Sequence, residues 1–234
     1  MREVAPDLYM LGGFPPAAIN MYAIRSEGGW ILVDTATRFA RRRITRQLKG
    51  ELEAILITHA HRDHAGSMHA IARATGAPVW AAPPDADALE GKIPDPAPPE
   101  AAHSRANRIL SRLLRWDKHP VARRLTEGEV VAGFEVVAFP GHTPGQIGLW
   151  RESDRTVVCA DTMRTVNVFT GLPQVGEMPA LFTVDRSEAR RSIRKLAALE
   201  PRVACFGHGR PMRGDAAEQI NAFAASLPVE HPTP

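Results

Sequence analysis

Apolar positions in the first third of the chain fall into short β-branched runs and into stretches spaced by three and four residues; the two periods predict alternating strands and helices. Ile19 to Arg25 and Trp30 to Val33, parted by the turn pair Gly28-Gly29, predict a hairpin. In Thr37 to Lys49, Phe39, Ala40, Ile44 and Leu48 make the apolar face of a helix, Arg41, Arg42, Arg43 and Arg46 its solvated side, and Gly50 its end. Ala54 to Thr58 predicts a buried strand, Gly66 to Thr75 a second helix, and Pro78 to Ala82 another strand.

The pattern then changes. Pro83, Pro84, Pro94, Pro96, Pro98 and Pro99 lead into helical spacing from about Ala101 to Trp116. There Ile109, Leu110, Leu113, Leu114 and Trp116 form an apolar stripe, and Arg105, Arg108, Arg112 and Arg115 a second face. We read about 83–120 as an insertion within a single domain of 1–234, serving as a lid over an active site or as the contact of a homodimer. Beyond it, strands are expected at Val121 to Leu125, Phe134 to Phe139, Gln146 to Trp150 and Thr156 to Cys159. Ser187 to Leu199 predicts a helix capped by Asp185 or Ser187, with Ile193, Leu196, Ala197 and Leu199 inward. Val203 to Phe206 is the last strand, and a short helix precedes a Pro-rich tail.

Composition narrows the setting. A chain of 234 residues with 44% hydrophobic content can bury a full core. A formal net charge of +3, with both signs interspersed, argues against a nucleic-acid partner. No run approaches the roughly 20 apolar residues that cross a bilayer, and Met1 to Leu11 carries Arg2, Glu3 and Asp7 where a signal peptide would be apolar. No membrane partner is therefore expected, and a cytoplasmic location is. Cys159 and Cys205 lie in apolar runs and read as packed, reduced thiols.

The chemistry is concentrated at the ends of the predicted strands. Thr58-His59-Ala60-His61-Arg62-Asp63-His64 follows one strand directly and brings three imidazoles and a carboxylate into one short turn. His142 follows the strand ending at Phe139, Asp161 comes just past Cys159, and His208 just past Cys205. A lone histidine between glycines is ordinarily structural, but together these residues supply enough ligands for two metal ions. Two zinc ions are expected, with iron or manganese as alternatives. His69, His103, His119 and His231 lie away from these strand ends and are given no role.

The order Thr-His-x-His-x-Asp-His, Gly-His-Thr, Asp161, Gly-His-Gly resembles the metallo-β-lactamase superfamily, in its glyoxalase II and lactonase-like branch, along nearly the whole chain. The resemblance implies an α/β (α+β) fold, an αββα sandwich of two mixed β-sheets flanked by helices. It would give one metal His59, His61 and His142, the other Asp63, His64 and His208, and set Asp161 between them. Ala160 departs from the family's usual glycine. The implied activity is hydrolysis of a small-molecule ester, thioester or lactone, with a metal-bridging hydroxide attacking the carbonyl and Asp63 as the catalytic carboxylate that orients it. Family branches discriminate by exclusion. Exported β-lactamases usually lack an aspartate at the bridging place, glyoxalase II adds a glutathione-gripping domain longer than the stretch after His208, and the lactonases' tyrosine follows a motif that Tyr9 and Tyr22 precede. An iron persulfide dioxygenase, using His59, His142 and Asp161, and a phosphodiesterase or nuclease remain as alternatives.

Overall fold

The computed structural model describes residues 1–13, 15–98 and 116–228. The helix expected over Ala101 to Trp116 thus lies, Trp116 apart, outside the described residues. A first sheet runs in sequence order through β1 (Arg2–Ala5), β2 (Leu8–Met10), β3 (Tyr22–Ser26), β4 (Gly29–Val33), β5 (Leu52–Leu56), β6 (Val79–Ala81) and β7 (Arg123–Arg124). It is antiparallel as far as β4 and parallel from there on. After β8 (Val130–Val131), β9 (Phe134–Ala138), β10 (Ile147–Arg151) and β11 (Thr156–Ala160) comes a ribbon of β12 (Arg164–Val166) and β13 (Pro173–Gly176). The chain then enters β14 (Val203–Phe206) and β15 (Met212–Arg213). The second sheet has the order β15-β14-β11-β10-β9-β8, with β11 and β14 its parallel pair. Helices are α1 (Arg41–Gln47), α2 (Arg62–Ala65), α3 (Met68–Thr75), α4 (Asp85–Glu90), α5 (Arg186–Ala198) and α6 (Ala216–Ser226).

The central strands are apolar on both faces because both faces are covered. Ile31 and Val33 of β4 and Leu56 of β5 meet Val136, Leu149, Val158 and Cys205 between the sheets. Leu32, Ile55 and Ile57 point the other way, under Ile44, Met68, Ile71 and Leu89 of the first helical layer. On the second sheet Val157, Cys159 and Phe206 pack beneath Ile193 and Leu196 of α5 and Ile220 of α6. The result is the αββα sandwich. Among the described residues no helix is long and apolar enough to cross a membrane.

Several boundaries differ from the sequence expectation, each for a tertiary reason. The first hairpin strand begins at Tyr22 rather than Ile19, because Asn20 turns away to donate from Nδ2 to the carbonyls of Phe206 (2.8 Å) and Gly209 (2.6 Å). The pairing of Ser26 with Gly29 places the turn on Glu27-Gly28 instead of Gly28-Gly29. The first helix starts at Arg41 rather than Thr37, since Ser67 Oγ donates to the Thr37 carbonyl (2.6 Å), Arg38 lines a cavity and Phe39 is 75% exposed. The helix expected over Gly66 to Thr75 is α3, beginning at Met68, and the unexpected short α2 before it carries Asp63 and His64. The hairpin β1–β2, strand β8 and the ribbon were unexpected; they are short and of mixed polarity, so their period is illegible. The stretch expected as an insertion opens with α4, whose Ala86, Ala88 and Leu89 join the first core.

Strand β11 ends in a register shift against β14 between Val158 and Ala160, and Ala160 has φ 48°. A left-handed backbone costs an L-residue about 1–2 kcal/mol, while glycine there loses about 0.5–1 kcal/mol of unfolded-chain entropy. Ala160→Gly should therefore raise the stability of the protein by up to about 1 kcal/mol, seen as a higher urea midpoint with unchanged slope.

Candidate metal centre

The seven candidate ligands are delivered by the ends of four strands, and each delivery is locked from behind. Past β5, Thr58 donates from its backbone N (2.9 Å) and its Oγ1 (2.8 Å) to the Asp34 carboxylate. Its Oγ1 lies 3.0 Å from His59 Nδ1. A hydroxyl that donates to a carboxylate must accept from the imidazole, so His59 keeps its lone pair on Nε2. Asp34, at the end of β4 with φ 63°, also sits 2.7 Å from His64 Nδ1. His208 Nδ1 bonds the Ala18 carbonyl, and His142 Nδ1 faces Thr183 Oγ1 at 3.4 Å while that hydroxyl donates to the Pro179 carbonyl. Four imidazoles thus present Nε2 to the centre; His61 differs, with Nε2 3.3 Å from the Pro96 carbonyl oxygen.

Asp161 Oδ2 is the point on which they converge. It lies 3.2 Å from His208 Nε2, 3.4 Å from His142, 3.5 Å from His64 and 3.8 Å from His59. Asp63 Oδ2 is 3.4 Å from His208 Nε2 and 3.9 Å from His64 Nε2. The Nε2 atoms of His59, His64 and His142 and Oδ1 of Asp161 are buried without a hydrogen-bond partner. Such orphans are rare in folded proteins, and a bound cation is one standard reason for them. Three sets have ligand atoms within 4.8 Å of one another: His59, His61 and His142; His59, His64 and Asp161; and Asp63, His64 and His208. The structure gathers all seven expected residues at this one place. Gly207 is required beside them, because a Cβ there would fall 1.9 Å from Asp161 Oδ1. Over the centre opens a cavity of about 320 Å³, with His61, Asp63, His142, Asp161 and His208 among its lining residues.

The sequence pattern defining the Metallo-beta-lactamase superfamily matches residues 14–208. The chain belongs to the metallo-beta-lactamase superfamily. Among similar proteins, probable metallo-hydrolase YflN of Bacillus subtilis (strain 168) is 32% identical over 178 residues, 70% of this chain and 67% of that one. The metallo-beta-lactamase family protein TTHA1429 from Thermus thermophilus superposes with a TM-score of 0.64 at 25% identity, over 94% of this chain and 80% of that one. TTHA1623, solved in a di-iron-bound form, gives 0.63 at 26% identity, over 91% and 96%.

Electrostatics at the superfamily site follow from crowding. Burial pushes His59 well below the usual imidazole range and His61 down to about 3, with neighbouring imidazoles adding to the effect. Burial acts the same way on His64 and His208, but Asp161 overrides it, with Asp34 adding to the effect at His64, and His208 rises to about 10. Asp161 and Asp63 stay well below the ordinary carboxylate range, their desolvation outweighed by His64 and His208. Carboxylates that hold protons on these imidazoles present the same negative charge to a divalent cation, for which those protons compete.

Two residues of this site were absent from the sequence expectation. Asp34 had the same signal as the candidates, a carboxylate just past a buried apolar run. Asp85 was hidden in the Pro-rich stretch. It is buried at the start of α4, where Oδ2 accepts from Ala60 N and Thr143 Oγ1 and Oδ1 from Gly145 N, each at 2.7 Å. Burial raises its carboxyl, and these hydrogen bonds pull the other way. One carboxylate thereby joins the turn of His59 and His61 to the turn of His142. Groups placed behind ligands in this way are typically worth about 10- to 100-fold in metal affinity. Asp85→Asn, which turns a donor toward one of these donors, should weaken binding of one metal equivalent by about that factor and leave the other nearly unchanged, as measured by competition with a chromophoric chelator.

Proposed function

We propose that the protein is a binuclear metal-dependent hydrolase acting on an ester, thioester or lactone of a small molecule. The observation that carries the proposal is Asp161 Oδ2, set 3.2–3.8 Å from four imidazole Nε2 atoms at the floor of an open cavity. His59, His61 and His142 would hold one ion and Asp63, His64 and His208 the other, with Asp161 against both sets. Zinc is the expected metal, and the di-iron form of TTHA1623 makes iron the alternative. When bound, the ions supply Lewis acidity, which lowers the pKa of water from about 15.7 towards 7 and withdraws electrons from a carbonyl oxygen.

The chain's own residues then have distinct tasks. Asp34, Thr58, Thr183 and the Ala18 carbonyl hold the ring orientations, so little reorganisation is needed during the reaction. Asp63 has a partly exposed side chain, at 37%, while Asp161 is buried. Asp63 would therefore orient the attacking water from the cavity side and carry its proton. No serine or cysteine is among the described residues lining the cavity, in keeping with water as the nucleophile.

Elemental analysis of the purified protein should find close to two metal equivalents per chain, with turnover of carbonyl esters; one iron per chain with oxygen consumption and no hydrolysis would move the assignment to sulfur oxidation. Asp63→Asn should lower kcat by about 100-fold or more, the usual worth of a positioned proton acceptor. A variant that keeps both metals and normal turnover removes Asp63 from this role.

A further inference from the structure

The cavity has two kinds of wall. Beside its imidazole and carboxylate floor it is lined by Arg38, Arg62 and Asp95, and on the remaining side by the apolar Ile19, Val168, Met178, Leu181 and Phe182. Val168 comes from the loop of the β12–β13 ribbon, and Leu181 and Phe182 from a single 3₁₀ turn, Ala180–Phe182. The apolar character continues out of the cavity: Phe182 stacks on Phe169 with ring centroids 6.1 Å apart, and Phe169 and Leu181 are 68% and 50% exposed. Large apolar side chains left in water beside a reactive floor are unfavourable alone and become favourable against an apolar ligand. These five side chains offer no donor or acceptor to a sugar, a nucleotide or a peptide backbone. At about 320 Å³ the cavity also lies at the small end of ligand sites, which run from roughly 300 to 1,000 Å³.

We infer that the substrate is an acyl ester or thioester, or a lactone, that carries a flexible apolar chain, and that Val168, Met178, Leu181 and Phe182 form the seat of that chain. This rests on the hydrolase reading above. The carbonyl lies over the polar floor while the chain lies along the ribbon and the 3₁₀ turn. Water adds its oxygen to the carbonyl carbon, the bond to the leaving oxygen or sulfur breaks, and that atom takes up a proton, as a separate alcohol or thiol from an ester or thioester and as a tethered hydroxyl from a lactone. A free carboxylate with the same chain remains as product, and it is a probe that needs no turnover.

The test is calorimetric titration of the metal-loaded protein with straight-chain carboxylates from butanoate to decanoate. Each added methylene should tighten binding about four-fold, the equivalent of about 0.8 kcal/mol, until the seat is full. Leu181→Ser and Phe182→Ala, both at partly or fully exposed positions and so compatible with folding, should each flatten that dependence. Equal affinity along the series, or a slope unchanged in both variants, overturns the inference even if esters are hydrolysed. A slope that the variants flatten, in a protein that hydrolyses no ester, upholds the seat and removes the hydrolase reading instead.

Discussion

The carboxylate of Asp161, buried within 3.2–3.8 Å of four imidazoles, is the interaction around which the molecule is organised. A charge taken out of water costs several kcal/mol unless opposite charge and hydrogen bonds replace the solvent. Here the replacement comes from residues far apart in the chain, so the whole tertiary structure has to be in register before the centre exists. Asp34 fixes Thr58 and His64, and Asp85 fixes the turns carrying His59, His61 and His142. Gly207 leaves room for an oxygen that any side chain would displace. Two backbone positions here, Asp34 and Ala160, are left-handed, the usual sign of local conformation subordinated to a site.

The scaffold explains why the chemistry is at strand ends. The central strands β4, β5, β11 and β14 are covered on both faces, one by the partner sheet and one by helices, so a polar side chain set midway along them would be buried. The ends of β5, β9, β11 and β14 are where the backbone leaves the sheets. There each strand delivers a side chain whose position is set by the rigid ladder behind it. Position is thus inherited from the sheets, and reactivity from the turns.

Membership of the metallo-beta-lactamase superfamily accounts for the floor of the cavity and leaves its walls open. The walls are built from the ribbon, the 3₁₀ turn and the approach to α1, segments that add little to the core. Fold and substrate preference can therefore vary separately in such proteins: the ligand-bearing turns are held by the sandwich, and the walls by short surface elements.

By itself the sequence determined the superfamily, most of the central strands and which seven residues gather at one place, because a strand buried on both faces leaves a continuous apolar run and a His/Asp motif is local. His59, His61, Asp63 and His64 could be read from a single turn, and Val203–Phe206 was legible to the residue. Only the tertiary structure decided what lay behind the ligands. Asp34 and Asp85 are single carboxylates whose partners are 24 to 60 residues away in sequence, a separation that no local period encodes. It also decided where helices stop: Thr37–Ala40 has helical spacing, yet Ser67 takes its carbonyl and the cavity takes Arg38. Periodicity reports how a segment buries its own apolar surface; the site is made by contacts between segments, which exist only once those surfaces have been buried.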